Sequence, residues 1–282
     1  MIETDLLHNL LRMYPAQPAT AIWRAVEIGA LFRFGVPEGR GLDLGCGDGK
    51  LTGVILEWAG PRRLVGVDPD PFETKAAYKT GHYEAVHTAS GDAIPELDGS
   101  FDFVISNSVL EHIPDVKPVL TEVARLLRPG GRFLFTVPGP GFHANLRGSL
   151  LPWVSRSRYL ADLDKRLLHL RYPSEEQWQM LCSAAKLRLE GCPGYLSRDE
   201  TRAWEMVSGL TGGLLYTLRG KQKLPIAIQK ELGLRQLQNK VRMPSILAKV
   251  IGKIIRKIVG SDRNEWIPEN NASCLLVHGI RL

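Results

Sequence analysis

A doubly wound, mostly parallel α/β sheet, with an antiparallel last strand and a helical insertion, is the fold class this sequence predicts. Three observations predict it. Short apolar runs alternate with helical segments between residues 40 and 137, the pattern of a parallel sheet covered on both faces. A glycine-rich turn joins the first of those runs to its helix. A last apolar run, Ser273 to Ile280, returns after a long helical stretch. At 282 residues the chain can bury a core without disulfides or metals.

The elements follow in order. Residues 4–34 read as helix, divided by Pro15 and Pro18, with apolar residues from Ala21 to Phe32 at helical spacing. A break follows from Gly35 to Gly41. Strands are predicted at Gly41–Leu44, Arg63–Asp68, Ala85–Ala89, Phe101–Ser106 and Arg132–Val137. Helices are predicted at 50–59, 71–80 and 115–127, the last stopped by Pro129-Gly130-Gly131. Beyond Pro138 the pattern loosens. A helix over 174–187 is marked by Ser174 as its cap, with Glu176 and Gln177 in its first turn. Leu187–Glu190 and Ser273–Ile280 are the last strands, and 199–261 reads as helical and basic.

Composition narrows the function classes. Four cysteines (Cys46, Cys182, Cys192, Cys274) form no C-x-x-C pair, so neither a disulfide framework nor a structural zinc site is expected. The acidic N-terminus (Glu3, Asp5) does not read as a secretory signal, and no apolar run reaches 18 residues. A cytoplasmic protein is expected. The formal charge of +6 is concentrated: residues 201–261 hold 12 Lys/Arg against 2 Asp/Glu, while the rest is mildly acidic.

Gly41-Leu42-Asp43-Leu44-Gly45-Cys46-Gly47-Asp48-Gly49 runs from a strand into a helix. Glycines there allow a tight turn and close approach of a ligand. Asp68 ends the next strand, where a carboxylate can accept bonds from both hydroxyls of a ribose. The spacing is G-x-G-x-G rather than G-x-G-x-x-G, and Asp48 would repel a pyrophosphate. The pattern suits a cationic nucleoside without phosphates, such as S-adenosylmethionine (SAM).

Residues 40–137 resemble the core of a class I SAM-dependent methyltransferase, in the branch similar to the ubiquinone/menaquinone-type and small-molecule enzymes. The stretches that carry the resemblance are Leu42 to Gly49, Val65-Gly66-Val67-Asp68-Pro69, Ser90-Gly91-Asp92-Ala93, Phe101 to His112, and Leu127-Arg128-Pro129-Gly130-Gly131. It implies a Rossmann-like fold and SAM as cofactor, with S-adenosylhomocysteine as product. It also implies residue roles. Asp43 and Gly45, Cys46, Gly47 and Gly49 would line the methionine end. Asp68, followed by Pro69, would bind the ribose. Asp92 and Ala93 would hold the adenine, and Asn107 and Ser108 would flank the sulfonium. Residues 1–40 would form a helical lid, 41–198 with 270–282 the SAM-binding core, and 199–269 a basic helical insertion.

Methyl transfer from a sulfonium is an in-line displacement, for which alignment can supply roughly 7–11 kcal/mol. A hydroxyl or activated-carbon acceptor also needs a base, and histidine is the usual one. The candidates are His112, His143 and His169; each could equally be a packing or helix-end residue. Tyr14 and Trp23 lie on the lid. No metal-ligand spacing is legible in the sequence.

The insertion is the departure from the family pattern. Between Ile246 and Val259, apolar residues at 246, 247, 250, 251, 254, 255, 258 and 259 form one helical face, and Lys249, Lys253, Arg256 and Lys257 the other. Such a helix can pack in the core or rest on anionic lipid. It lacks the interleaved aromatics of a nucleic-acid surface. A small or lipid-linked acceptor is therefore expected, at the inner face of a membrane. The alternatives are an RNA methyltransferase, although no Asn/Asp-Pro-Pro-aromatic block follows Asn107, and a SAM-binding partner protein that does not turn over.

Overall fold

The computed structural model describes residues 4–14, 17–149, 151–213 and 265–282, with short pieces at 216, 244–246, 248–249 and 251–253. Most of the amphipathic stretch 246–259 therefore lies outside the described residues, as does most of the basic segment before it.

Two helices open the chain, α1 (Thr4–Met13) and α2 (Pro18–Phe34). Pro18 starts α2 where its missing N–H costs nothing, and Gly35, at φ 95°, ends it with its N–H bonded to the Leu31 carbonyl. Strand and helix then alternate: β1 (Arg40–Leu44), α3 (Lys50–Ala59), β2 (Arg63–Asp68), α4 (Pro71–Tyr78), β3 (Ala85–Thr88), β4 (Phe101–Asn107), α5 (Lys117–Leu126) and β5 (Leu127–Pro138). Asp70 caps α4 by accepting from the Phe72 N–H at 2.8 Å. After β5 come α6 (Gly141–Asn145), α7 (Arg156–Leu167), α8 (Glu175–Ala184), β6 (Leu187–Gly191), β7 (Gly194–Tyr195), α9 (Arg198–Ser208) and β8 (Cys274–Arg281). Ser174 with Gln177, and Ser197 with Glu200, form capping boxes at α8 and α9.

The sheet order is β3-β2-β1-β4-β5-β8-β6, with β7 also on β8. The first five strands are parallel, and β8 is antiparallel to β5 and β6. The predicted fold class is thus observed. Several boundaries shift: the helix predicted over 174–187 ends at Ala184, and that over 71–80 at Tyr78. The fifth strand begins at Leu127 rather than Arg132, because Leu127 already pairs with Phe101 and an irregularity between Phe101 and Phe103 absorbs Pro129-Gly130-Gly131. For the same reason the preceding helix ends at Leu126. Residues 156–167, which carried no clear pattern, form α7 behind the Ser155 cap.

One face of the sheet packs α1, α2, α3 and α9, with Ile22, Leu31 and Phe142 at most 1% exposed. The other packs α5 and α8 around Leu120, Trp178 and Phe135. Full burial of each such side chain is worth about 1.5–3 kcal/mol. No described helix is long and apolar enough to cross a membrane.

The amino ends of the strands are tied by charge. Arg40 pairs with Glu84 (3.3 Å) and Glu96 (3.2 Å), Arg63 with Glu84 (2.5 Å), and Arg128 with Asp102 (2.6 Å). The Arg63 guanidinium holds Glu84 below the usual carboxylate range, and the Arg40 N–H with Arg128 does the same for Asp102.

Candidate functional site

The carboxyl ends of the strands are built differently. Gly45, Gly47 and Gly49 all have left-handed backbones, at φ 78°, 53° and 72°. At Gly45 a Cβ would stand 2.4 Å from the Val109 side chain, so the loop after β1 can lie against the end of β4 only without one. At Gly47 a Cβ would meet nothing within 4 Å: this part of the loop faces open space.

Asp68, at the end of β2, is oriented by two amides. The Gly47 N–H donates to its Oδ2 at 3.0 Å, and the Asp70 N–H to its Oδ1 at 2.9 Å. Asp48 pairs with Lys50 at 2.8 Å, which closes the helix start to a phosphate. Pro69, Asp92 and Ala93 are exposed on the turns after β2 and β3. An acidic acceptor and an open glycine cradle fit a cationic nucleoside such as SAM.

Asp43 lies at the base of the loop. It is 2% exposed, and its Oδ2 accepts from Thr52 (2.5 Å) and Tyr83 (2.7 Å). Burial pushes its pKa up against those two bonds. It braces the loop from beneath instead of facing open space, and Cys46 beside it is buried. Tyr83 lies forty positions away in sequence, and no pattern in the chain marks it as Asp43's partner.

Asn107 and Ser108 end β4. Ser108 has φ 53°, a conformation few side chains other than glycine adopt. Its hydroxyl donates to Glu27 at 2.7 Å and accepts from the Trp23 indole at 3.2 Å. Glu27, fully buried in α2, also accepts from Thr136 and pairs with Arg24 at 2.5 Å; Arg24 reaches the Asn107 carbonyl. This knot clamps α2 to the ends of β4 and β5. The sequence signal was available: Glu27 is a lone acid within the apolar run Ala25-Val26-Glu27-Ile28.

The three histidine candidates, far apart in sequence, converge beyond β4. The rings of His112 and His169 are 5.5 Å apart, and those of His143 and Tyr172 are 4.4 Å apart. His143 Nε2 contacts Asp164 at 2.8 Å, and the Tyr172 hydroxyl donates to the same oxygen. Since that hydroxyl spends its proton on Asp164, His169 Nδ1, 3.1 Å away, must donate to it. His112 Nδ1 lies 3.0 Å from the Leu168 carbonyl, which can only accept. Both imidazoles therefore carry the proton on Nδ1 and the lone pair on Nε2. Trp23, Phe142 and Trp204 wall the cluster.

Glu111 stands beside these rings, 1% exposed, and neither of its oxygens has a hydrogen-bond partner. Burial pushes its pKa up to about 8. Burial, with His112 and His143 nearby, pushes His169 down to about 3, and burial lowers His112. Glu111, His112 and His169 are thus biased toward their uncharged forms. Sequence reading passed over Glu111, since an acid before a histidine reads as a solvated turn.

Comparison with known proteins gives the same assignment to this third of the chain. A methyltransferase domain family matches residues 42–135. A probable SAM-dependent methyltransferase of Mycolicibacterium smegmatis is 36% identical over 129 residues, covering 45% of this chain and 49% of its own length. An uncharacterized transposon protein of Streptomyces fradiae is 36% identical over 106 residues, 36% of this chain and 31% of its own. The chain thus spans about half or less of the length of these relatives. Among solved structures, a SAM-dependent methyltransferase of Thermotoga maritima superposes with a TM-score of 0.54 at 15% identity, covering 98% of this chain and 100% of that one. The cyclase SpnF superposes at 0.53 and 12%, covering 90% and 79%. Those two likenesses concern the fold alone. Together with the glycine cradle and Asp68, the family match makes residues 42–135 a class I SAM-dependent methyltransferase domain, whose cofactor is S-adenosylmethionine.

Proposed function

We propose that the protein transfers a methyl group from SAM to a small or lipid-linked acceptor admitted beside His112, His169 and Tyr172. The observation that carries the reading is the placement of the histidine cluster just beyond β4, at the same carboxyl edge of the sheet as the glycine loop and Asp68. When bound, SAM supplies a methyl group already activated by its sulfonium. The chain's own task is then orientation. Asp68 would hold the ribose hydroxyls, and the Gly45–Gly49 backbone would receive the amino-acid end. Trp23, Phe142 and Trp204 exclude water from the acceptor's place. The Nε2 lone pair of His112 or His169 can take a proton from an acceptor hydroxyl as the new bond forms.

The lipid-linked acceptor is supported by exposed apolar residues around the cluster. Leu151 and Trp153 lie on the segment leading into α7, and Leu168 and Leu170 flank His169. The basic stretch over 246–259 would rest on anionic lipid, with residues 1–40 as the lid and 199–269 as the insertion that approaches the membrane.

The test uses SAM with a radiolabelled methyl group and lysate divided into lipid, small-molecule, RNA and protein fractions. Label in the lipid or small-molecule fraction, absent with Asp68→Ala, is the expected result. Label in RNA overturns the acceptor class. SAM binding without label in any fraction moves the protein to a non-transferring role, one that a fold shared with a cyclase can host. Co-sedimentation with anionic liposomes that survives deletion of 246–259 removes the membrane part of the reading.

A further inference from the structure

We infer that Glu111, His112 and His169 form a binding site for one divalent transition-metal ion, zinc in kind. Their ligand atoms lie within 4.8 Å of one another, and His112 Nε2 is 3.9 Å from Glu111 Oε1. Two imidazoles and a carboxylate are the donor set that zinc, cobalt and iron share. The ligand atoms of a tetrahedral ion stand about 3.4 Å apart, given bonds of about 2.1 Å, so small side-chain rotations close the set.

The tautomers favour the site. Metal-binding histidines typically donate the far ring N–H to a carbonyl or a carboxylate-anchored group, which fixes the ring and turns the other nitrogen inward. Both imidazoles make the first of these bonds through Nδ1, and His112 Nε2 faces Glu111. His112 donates to the Leu168 carbonyl. His169 donates to the Tyr172 hydroxyl, itself anchored on Asp164. Each is left with an Nε2 lone pair that none of these bonds consumes.

Glu111 is the second, independent observation. A carboxyl group buried at 1% exposure with no hydrogen-bond partner on either oxygen is costly, and calls for a partner that the protein itself does not supply. The nearest cation, Arg24, is already paired with Glu27. A divalent ion between Glu111 and the two Nε2 atoms would satisfy it. Three protein ligands leave a fourth position open, the form of a catalytic rather than a structural site. An acceptor oxygen could occupy it; with the ion bound, the two Nε2 lone pairs would no longer be free to act as a base, and the ion would instead lower the pKa of that oxygen.

The site does not rest on methyl transfer, so its test is a metal titration without SAM. The full chain is stripped with a chelator, dialysed, and titrated with cobalt(II), read by visible absorption, and with zinc by calorimetry. One equivalent per chain is expected, with zinc displacing cobalt and raising the melting temperature by several degrees. Glu111→Gln preserves shape and should keep the metal-free melting temperature within a few degrees while weakening zinc about 100-fold. His169→Ala should do the same by a separate route. Absence of saturable binding at 100 µM metal, or binding unchanged in Glu111→Gln, overturns the site. SAM affinity, titrated separately on the same sample, tells failure of the metal site from failure of the cofactor site.

Discussion

The two ends of the sheet solve opposite problems. At the amino ends, Arg40, Arg63 and Arg128 are matched to Glu84, Glu96 and Asp102, and the charges lie where water screens them. At the carboxyl ends lie three left-handed glycines, a left-handed Ser108, a buried Glu27 that needs several donors, and Glu111, whose carboxyl oxygens have no hydrogen-bond partner. At one end the charges named are paired without a ligand. The other gathers a left-handed Ser108 and a buried carboxyl whose oxygens are unpartnered. The difference teaches where the molecule expects company: unsatisfied groups at strand carboxyl ends are the mark of a site prepared for what it will bind.

The largest expected effect breaks the clamp. Glu27→Ala leaves Ser108, Thr136 and Arg24 without their shared acceptor inside the protein, and should cost about 3 kcal/mol in urea unfolding. Glu27→Gln, which keeps two of the contacts, should cost less. If Glu27→Ala unfolds like the unaltered chain, α2 is not fastened to β4 as described. Next comes the ligand itself. Asp68→Asn removes the charge but retains the shape, and SAM affinity by calorimetry should fall about 100-fold with the unfolding midpoint little moved.

A matched pair of glycines sharpens the contrast. Gly47 and Gly130 have φ 53° and 74°, and a Cβ at either would meet nothing within 4 Å. Alanine at either should cost about 1–2 kcal/mol of stability from backbone strain alone. Only Gly47→Ala should also weaken SAM, because only that loop meets the ligand. Equal SAM affinity in both variants would undo the distinction between the ends.

The smallest effect belongs to the charged end. Glu84 and Asp102 have pKa values below their ordinary ones, so their contribution is present above the unfolded value and is lost as pH falls through the folded one. The melting temperature should therefore decline below about pH 4, and 0.5 M salt should flatten the decline. Asp102→Asn should reduce the same slope without touching SAM affinity.

What the sequence disclosed follows from what is local. The strands β1 to β5, the glycine loop and Asp68 each sit inside a short window with its own period or turn chemistry. The pairing of residues 187–190 with the last strand was legible because the resemblance supplied a partner. The bracing of Asp43 by Tyr83 was not, nor the clamp of Glu27 on Ser108 and Thr136. Those bonds join positions 40 to 109 apart and leave no periodic trace. His112, His143 and His169 were separate suggestions until Asp164 and Tyr172 linked them. Residues 246–259 carry the clearest helical pattern outside the core and lie for the most part outside the described residues.

The position of β8 has a consequence for the order in which the chain can fold. It lies between β5 and β6, yet it leaves the ribosome more than eighty residues after β6. Until it arrives, β5 is an open edge and β6 has no neighbour in the sheet. The parallel strands can therefore assemble during synthesis, whereas the β6 edge must wait for the whole intervening segment to be made. In that interval the nascent sheet offers an unpaired strand to any other chain, a natural point for a chaperone to act.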